Sequence, residues 1–369
     1  MFALLILAVL HGYIGWRILS PLDSAVLQWL GGLWLALSVF LIPAGFMASR
    51  MGKALADRLT WAGMLAMGLF SSLLIFTLAR DIVLGVASLF GVLSAGFVDA
   101  SAPAVPLLAG LATLVGLINA RRVARVVEVD VPIAGLPAGL HGFTIAQISD
   151  IHVGPTIKRG YLQAIVERVN ALGADLIAVT GDLVDGSVKE LARHTAPLAD
   201  LRARHGAYFV TGNHEYYSNA HAWVAEVRRL GLTVLMNQHV VLSHGGSSLV
   251  VAGVTDFSAH HFDESHRSSP HVALAGHPGE VGAKLLLAHQ PRSAAAAADA
   301  GFDLQLSGHT HGGQFFPWNF FVPLQQPYTA GLNKLRDLWV YVSRGTGYWG
   351  PPKRLWAPSE ITRLRLVPA

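Results

Sequence analysis

Nine polar residues between positions 150 and 311 carry the chemistry legible in this chain: Asp150, His152, Asp182, Asp185, Asn213, His214, His289, His309 and His311. They arrive in short clusters, "SDIH", "TGDLVDG", "TGNHE", "AHQP" and "SGHTHGG". All nine are oxygen or imidazole donors, and the chain has no cysteine, so neither a thiolate site nor a disulfide framework is open to it. Mixed carboxylate and imidazole donors suit manganese, iron or zinc better than calcium. The set is also larger than one ion needs. A single catalytic zinc takes about three protein ligands and a water. Two ions about 3.5–4 Å apart, sharing a carboxylate, would use about seven or eight.

These clusters need elements that deliver them to one place. "FTIAQIS" (143–149) reads as a strand, and "RGYLQAIVERVNALG" as a helix with Leu162, Ile165, Val166, Val169 and Leu172 at helical spacing and Gly173 as its stop. "DLIAVTGD" reads as the next strand, which makes a parallel unit with a crossover helix. Further strands fit at 207–213, 248–254, 284–290, 302–309 and 338–344, and helices at 220–230 and 292–300. The fold class is therefore α/β, with near-continuous apolar strands. In such sheets ligands collect at the carboxyl ends of the strands, which is where the polar clusters fall.

Taken in order, D-x-H (Asp150, His152), G-D-x-x-D (Gly181 to Asp185), G-N-H-E (Gly212 to Glu215), a lone His289 and G-H-x-H (Gly308 to His311) resemble the calcineurin-like metallophosphoesterase superfamily over residues 124–369. The resemblance implies a four-layer α/β/β/α sandwich with a dinuclear metal site at one end. It makes Asp150, His152 and His311 ligands of one ion. It makes Asp182 the bridge, and Asn213, His289 and His309 ligands of the second ion. His214 resembles the family's catalytic histidine and Asp185 its orienting partner. The reaction implied is metal-dependent hydrolysis of a phosphodiester or pyrophosphate bond, with His214 protonating the leaving oxygen. An extended turn would send His309 and His311 the same way, one to each ion, with Gly308, Gly312 and Gly313 leaving room for phosphate.

In the protein-phosphatase branch, an Arg follows the second Asp of G-D-x-x-D and another precedes G-N-H-E; here those places hold Gly186 and Thr211. The departure points instead to the branch of membrane-anchored bacterial phosphodiesterases and pyrophosphohydrolases, with lipid-linked or nucleotide-activated substrates. "FFPWNFF" (315–321) fits an apolar lip beside the site or a packed loop, and Arg344 either a phosphate contact or a surface charge. "AHHFDESHRSSPH" (259–271) reads first as a solvated loop and second as a third metal site.

Before this domain the texture differs. Of 27 Lys/Arg and 23 Asp/Glu, residues 1–120 hold only Arg17, Arg50, Lys53, Arg58 and Arg80, and Asp23, Asp57, Asp81 and Asp99. Apolar stretches at 1–19, 26–48, 59–79 and 103–120 are each near the length that crosses a bilayer. Residues 82–98 read as a continuation of the third helix or an interfacial segment, with a fifth span as the alternative. The first stretch lacks the basic start of a cleaved signal peptide. Gly31, Gly32, Gly63 and Gly68 fit helix-packing positions, and Arg80-Asp81 a helix-end pair. Basic residues at 50, 53 and 58, and Arg121, Arg122 and Arg125, put the N-terminus and the large domain on the cytoplasmic side of a bacterial-type inner membrane if the spans number four. The net charge of +4 is too small and dispersed for a nucleic-acid partner. The competing reading is a membrane scaffold or transporter with a regulatory metal-binding domain. Nearly charge-free spans argue against an ion path, and Asp185 and His214 would serve no purpose in metal storage.

Overall fold

The computed structural model describes residues 2–48, 54–277 and 279–369. They fall into two compact units: residues up to Arg121 together with Gly350–Leu355, and Arg122–Trp349 together with Trp356–Ala369.

The first unit is helical: α1 (Phe2–Leu19), α2 (Ala25–Ala48), α3 (Ala54–Leu89), α4 (Ala95–Ser101) and α5 (Ala104–Arg121). Among the described residues, four stretches are long and apolar enough to cross a membrane: Phe2–Leu19, Ala25–Ala48, Leu55–Leu89 and Ala95–Arg121. Residues 82–89 continue α3. Arg50 and Lys53 lie outside the described residues. Helix packing uses glycine at Gly63, where an added Cβ would sit 2.7 Å from Gly45 Cα. Gly32 faces open space, so its reading as a packing position fails. Asp81 is bound mainly across helices: Arg17 donates to it at 2.7 Å and the Tyr13 hydroxyl at 2.6 Å, while its neighbour Arg80 comes no nearer than 3.9 Å. Arg80 instead reaches Ser101 Oγ and the Val98 carbonyl. Lys353, from Gly350–Leu355, is buried and donates to the Gly68 carbonyl at 3.0 Å.

The second unit holds twelve strands: β1 (Arg125–Ile133), β2 (Thr144–Ile148), β3 (Leu176–Val179), β4 (Ala207–Phe209), β5 (Thr233–Val234), β6 (Gln238–His244), β7 (Ser247–Gly253), β8 (Ala283–Leu287), β9 (Leu304–Ser307), β10 (Gly331–Leu335), β11 (Leu338–Val342) and β12 (Glu360–Pro368). The helices are α6 (Arg159–Asn170), α7 (Val188–Thr195), α8 (Asn213–Tyr217), α9 (Ala220–Arg229), α10 (Pro270–Leu274) and α11 (Ala294–Ala300). The strands form two six-stranded sheets, ordered β1-β12-β2-β3-β4-β5 and β10-β11-β9-β8-β7-β6. The runs β2 to β5 and β7-β8-β9-β11 are parallel, as buried strands joined by crossover helices must be.

One core lies between the sheets: Ile145, Leu176, Ala178 and Tyr208 from the first meet Val251, Leu285, Leu287, Leu306 and Tyr341 from the second. A second core, with Val250, Leu286, Ala288 and Val342, packs under α10 and α11. The leftover face of the first sheet is covered by α6, whose Leu162, Ile165, Val166 and Val169 are buried. Helix, sheet, sheet, helix is thus the layer order, and the expected α/β sandwich stands.

Candidate metal centre

Three strands of the first sheet and two of the second stop at the same end of the sandwich. β2 runs out into Asp150 and His152, β3 into Asp182 and Asp185, and β4 into Asn213 and His214. β8 leads to His289, and β9 to His309 and His311. The two sheets are tied just beneath by Gln147, fully buried, whose amide donates to the Ser307 carbonyl and to Thr180 Oγ1, both at 2.9 Å.

Backbone bonds lace the loops that follow. The Asp150 amide donates to the Gly181 carbonyl at 3.0 Å, His152 to Asp182 at 3.1 Å and Val153 to Leu183 at 2.8 Å. The amide of His309 donates to both Asp150 carboxylate oxygens, at 2.9 and 3.0 Å. Two glycines make these approaches feasible. A Cβ at Gly308 would lie 2.1 Å from Asp150 Oδ2, and one at Gly212 would lie 2.2 Å from Asp182 Oδ1.

The nine predicted residues converge on two adjoining groups. In the first, His152 Nε2 lies 3.1 Å from His311 Nε2, which lies 3.4 Å from Asp150 Oδ1. In the second, His309 Nδ1 lies 3.0 Å from Asn213 Oδ1 and 3.3 Å from His289 Nε2. Asp182 Oδ2 faces both, 3.1 Å from His289 Nε2 and 3.9 Å from His152 Nε2. His214 stands beside them, its Nδ1 2.6 Å from Asp185 Oδ1 and its Nε2 4.0 Å from Asp182 Oδ2. Its ring is edged by His152, Tyr217 and Trp349.

This donor set fits divalent cations on its own geometry. For ligand distances of about 2.0–2.1 Å, the donors at neighbouring corners of a tetrahedron are roughly 3.3 Å apart, close to the spacings above. Both groups bring two imidazole nitrogens to within 3.1–3.3 Å of each other, a spacing that suits an N–H···N hydrogen bond or two donors on one cation. The outer nitrogens are already engaged: His289 Nδ1 meets the Thr180 carbonyl at 2.8 Å and His152 Nδ1 meets Asp185 Oδ1 at 3.1 Å. Partners of this kind fix the tautomer of a metal-binding histidine.

Charge in the centre is unbalanced in the same sense. Burial opposes ionisation of Asp182, yet His289 and His214 hold its carboxyl well below the ordinary range. Burial likewise disfavours charge on His289, but Asp182 outweighs it and keeps that imidazole well above its usual value. His309 is pushed down to about 4, first by burial and then by His289. Burial works against a charged His214 as well, but Asp182 and the hydrogen bond to Asp185 raise it to about 9.

Two features differ from the sequence reading. His309 and His311 do not lie in an extended turn. Both are left-handed, with φ of 71° and 51°, and so are Asp150, His152 and Asp182. Each imidazole does reach a different group, but by a backbone reversal rather than by strand alternation. Glu215, quoted in the G-N-H-E motif without a role, is fully buried. Its carboxylate accepts the amides of Gly212 at 2.6 Å, Asp182 at 3.0 Å and Leu183 at 2.8 Å. Burial and the charge on Asp182 push its carboxyl upward, against the pull of the backbone amides of Gly212 and Leu183. Three N–H donors and no acceptor around it favour the ionised form, because an acid proton would point at one of them. The signal for this residue was in the sequence: a glutamate three places after a small residue at a helix start reaches back to the backbone there.

Residues 143–313 match the family model described as calcineurin-like phosphoesterase. A Campylobacter jejuni protein described as an uncharacterized metallophosphoesterase is 33% identical over 89% of this chain and 87% of its own length. Bovine and zebrafish proteins described as transmembrane protein with metallophosphoesterase domain are 41% and 38% identical over 70% and 69% of this chain. The chain spans only 60% of the length of those two relatives.

Proposed function

The chain belongs to the calcineurin-like metallophosphoesterase family, whose members use divalent metals, and from that premise we propose that it is a membrane-anchored phosphohydrolase with a dinuclear centre. In this reading Asp150, His152 and His311 hold one ion, Asn213, His289 and His309 hold the other, and Asp182 holds both. The ions are manganese, iron or zinc, as the imidazole and carboxylate donors favour. The observation that carries the proposal is the placement of one oxygen, Asp182 Oδ2, between the two groups, at 3.1 Å and 3.9 Å from their nearest imidazole nitrogens.

When bound, such ions neutralise charge on a phosphate ester or anhydride and make water a stronger acid. The chain's own residues do the rest. His214 offers Nε2 on the same side as Asp182, while Asp185 accepts the Nδ1–H hydrogen bond and fixes the ring. With its imidazole raised to about 9, His214 is protonated at neutral pH and can donate to the leaving oxygen. Trp349 and Tyr217 confine the ring from two sides.

The substrate class we infer is an amphiphilic phosphodiester or pyrophosphate, lipid-linked or nucleotide-activated. Two observations support it. Gly186 and Thr211 stand where phosphoprotein-directed relatives carry arginines. The loop after the histidine pair leaves Trp318, Phe320 and Phe321 exposed, and Trp356 beside Phe316 is 78% exposed, more apolar surface than a packed loop leaves uncovered. With four spans, the positive-inside rule puts the catalytic unit in the cytoplasm, and a C-terminal reporter fusion reads that directly.

The decisive assay uses the full-length, detergent-solubilised protein, reloaded with manganese, on an aryl phosphodiester and then on a panel of lipid pyrophosphates and nucleotide-lipid conjugates. Hydrolysis that disappears on chelation and returns with manganese supports the proposal. Fully metallated protein that cleaves none of them refutes it.

A further inference from the structure

Among the described residues, four groups of three His/Asp donors lie close enough to share an ion; three of them belong to the centre above. The fourth is His221, Asp263 and His266. His221 sits in the first turn of α9, and the other two sit on the 3₁₀ turn at Glu264–His266, which Asp263 caps. That turn is pinned by Thr255 Oγ1 donating to the His266 carbonyl at 2.7 Å and by Asn237 donating to the Arg267 carbonyl at 2.8 Å.

The carboxylate of Asp263 has its two oxygens assigned to different work. Oδ1 accepts the amide of Ser265 at 3.0 Å and its hydroxyl at 2.6 Å. Oδ2 is left facing two imidazoles, 3.0 Å from His221 Nε2 and 3.9 Å from His266 Nε2. The ring centroids are 4.8 Å apart. A surface ion pair needs one imidazole; two converging on one oxygen would repel each other if both were charged. On the far side of the His266 ring, Nδ1 lies 2.9 Å from the Tyr216 hydroxyl. In the tautomer whose Nδ1–H donates to the Tyr216 hydroxyl, the Nε2 lone pair of His266 points toward Asp263.

We propose that His221 Nε2, Asp263 Oδ2 and His266 Nε2 form a third metal site, a three-ligand zinc site completed by solvent and separate from the dinuclear centre. The donor spacings of 3.0 and 3.9 Å bracket the roughly 3.3 Å edge of a zinc tetrahedron. Two imidazoles and one carboxylate with an open fourth position are a donor set that zinc accepts. Tyr216 is the positioning residue: it orients the His266 ring as outer-shell partners of zinc ligands do.

The test is equilibrium dialysis of the full-length protein against buffered zinc, read by elemental analysis and compared with His221→Gln. The His221 side chain is 70% exposed, so that variant is expected to keep its fold, which circular dichroism checks. The wild type is expected to hold one zinc more than His221→Gln, and Asp263→Asn is expected to match the variant. Tyr216→Phe should keep the stoichiometry but weaken the third zinc about 10–100-fold. Equal zinc content in wild type and His221→Gln would overturn the site. So would a loss of more than one equivalent, because the three ligands would then not act apart from the dinuclear centre.

Discussion

Glu215 offers the sharpest test of how this centre is held together, because it is not itself a proposed metal ligand. Its Oε2 serves two backbone amides, Gly212 and Asp182, and its Oε1 serves Leu183. Glu215→Gln keeps the shape and removes one acceptor. If the amide oxygen takes the Oε2 position, the amide nitrogen faces the Leu183 N–H, and a buried donor goes unmet at a cost of about 1–3 kcal/mol. The two surviving bonds pass from charged to neutral, losing about 1 kcal/mol each. The sum, about 3–5 kcal/mol, is a large part of the 5–15 kcal/mol that typically holds a domain. At roughly 2–4 °C per kcal/mol for a unit of this size, the apparent Tm should fall by about 6–20 °C. Tryptophan fluorescence at one fixed scan rate, with metals supplied in excess, reads it. A fall below about 2 °C would falsify the reasoning, since it would mean that Glu215 is already protonated in the folded protein and that Gln merely copies it.

Three further outcomes follow from the same geometry. His214→Ala should lower turnover on an alkyl diester by about 10²–10⁴-fold, and by much less on an activated aryl ester, while bound metal stays near the wild-type content. Equal turnover on the alkyl substrate would remove His214 from proton transfer. Asp182→Asn removes the one charge facing both groups, so elemental analysis should find at least one ion missing and hydrolysis nearly abolished. Gly308→Ala forces a methyl against Asp150 Oδ2, 2.1 Å from where its Cβ must lie. The expected result is loss of the ion held by Asp150, His152 and His311 with the secondary structure intact by circular dichroism.

Much of this arrangement is legible in the sequence because parallel strands buried on both faces are continuous apolar runs. β2, β3, β8 and β9 announce themselves that way, and their polar ends are the site. The same logic overshoots at β4: the apolar run reaches Val210, but the strand stops at Phe209 because the chain must already turn to bring Asn213 inward. β1 and β12 escape the reading for the opposite reason. They pair as neighbours at the edge of the first sheet, and both alternate: in β12, buried Ile361, Leu364 and Leu366 are interleaved with Arg363 and Arg365. A search for continuous hydrophobicity passes over such a pattern. Gly45 was likewise invisible as a packing position, because a glycine's partner is fixed by the helix opposite and not by its own neighbours.

What no local pattern could have revealed is the backbone of the site. Asp150, His152, Asp182, His309 and His311 all carry φ between 51° and 71°. For L-residues this region costs about 1 kcal/mol or more at each position, so the five together set roughly 5 kcal/mol against folding. A strand that simply continued would keep alternating its side chains across the pleat. The left-handed residue turns the chain back and aims the next donor at the common axis, and that explains why residues from five strands can face one another. The strain persists because the loops restrain each other: Asp150 bonds the Gly181 carbonyl, His152 bonds Asp182, His309 bonds the Asp150 carboxylate, and Glu215 grips the amide of Asp182 itself. Each of these contacts joins segments 30 or more residues apart, so the donor geometry is a property of the assembled sandwich and not of any one motif. A peptide bearing G-N-H-E or G-H-x-H alone has no reason to adopt it, whereas the folded unit has little freedom to leave it.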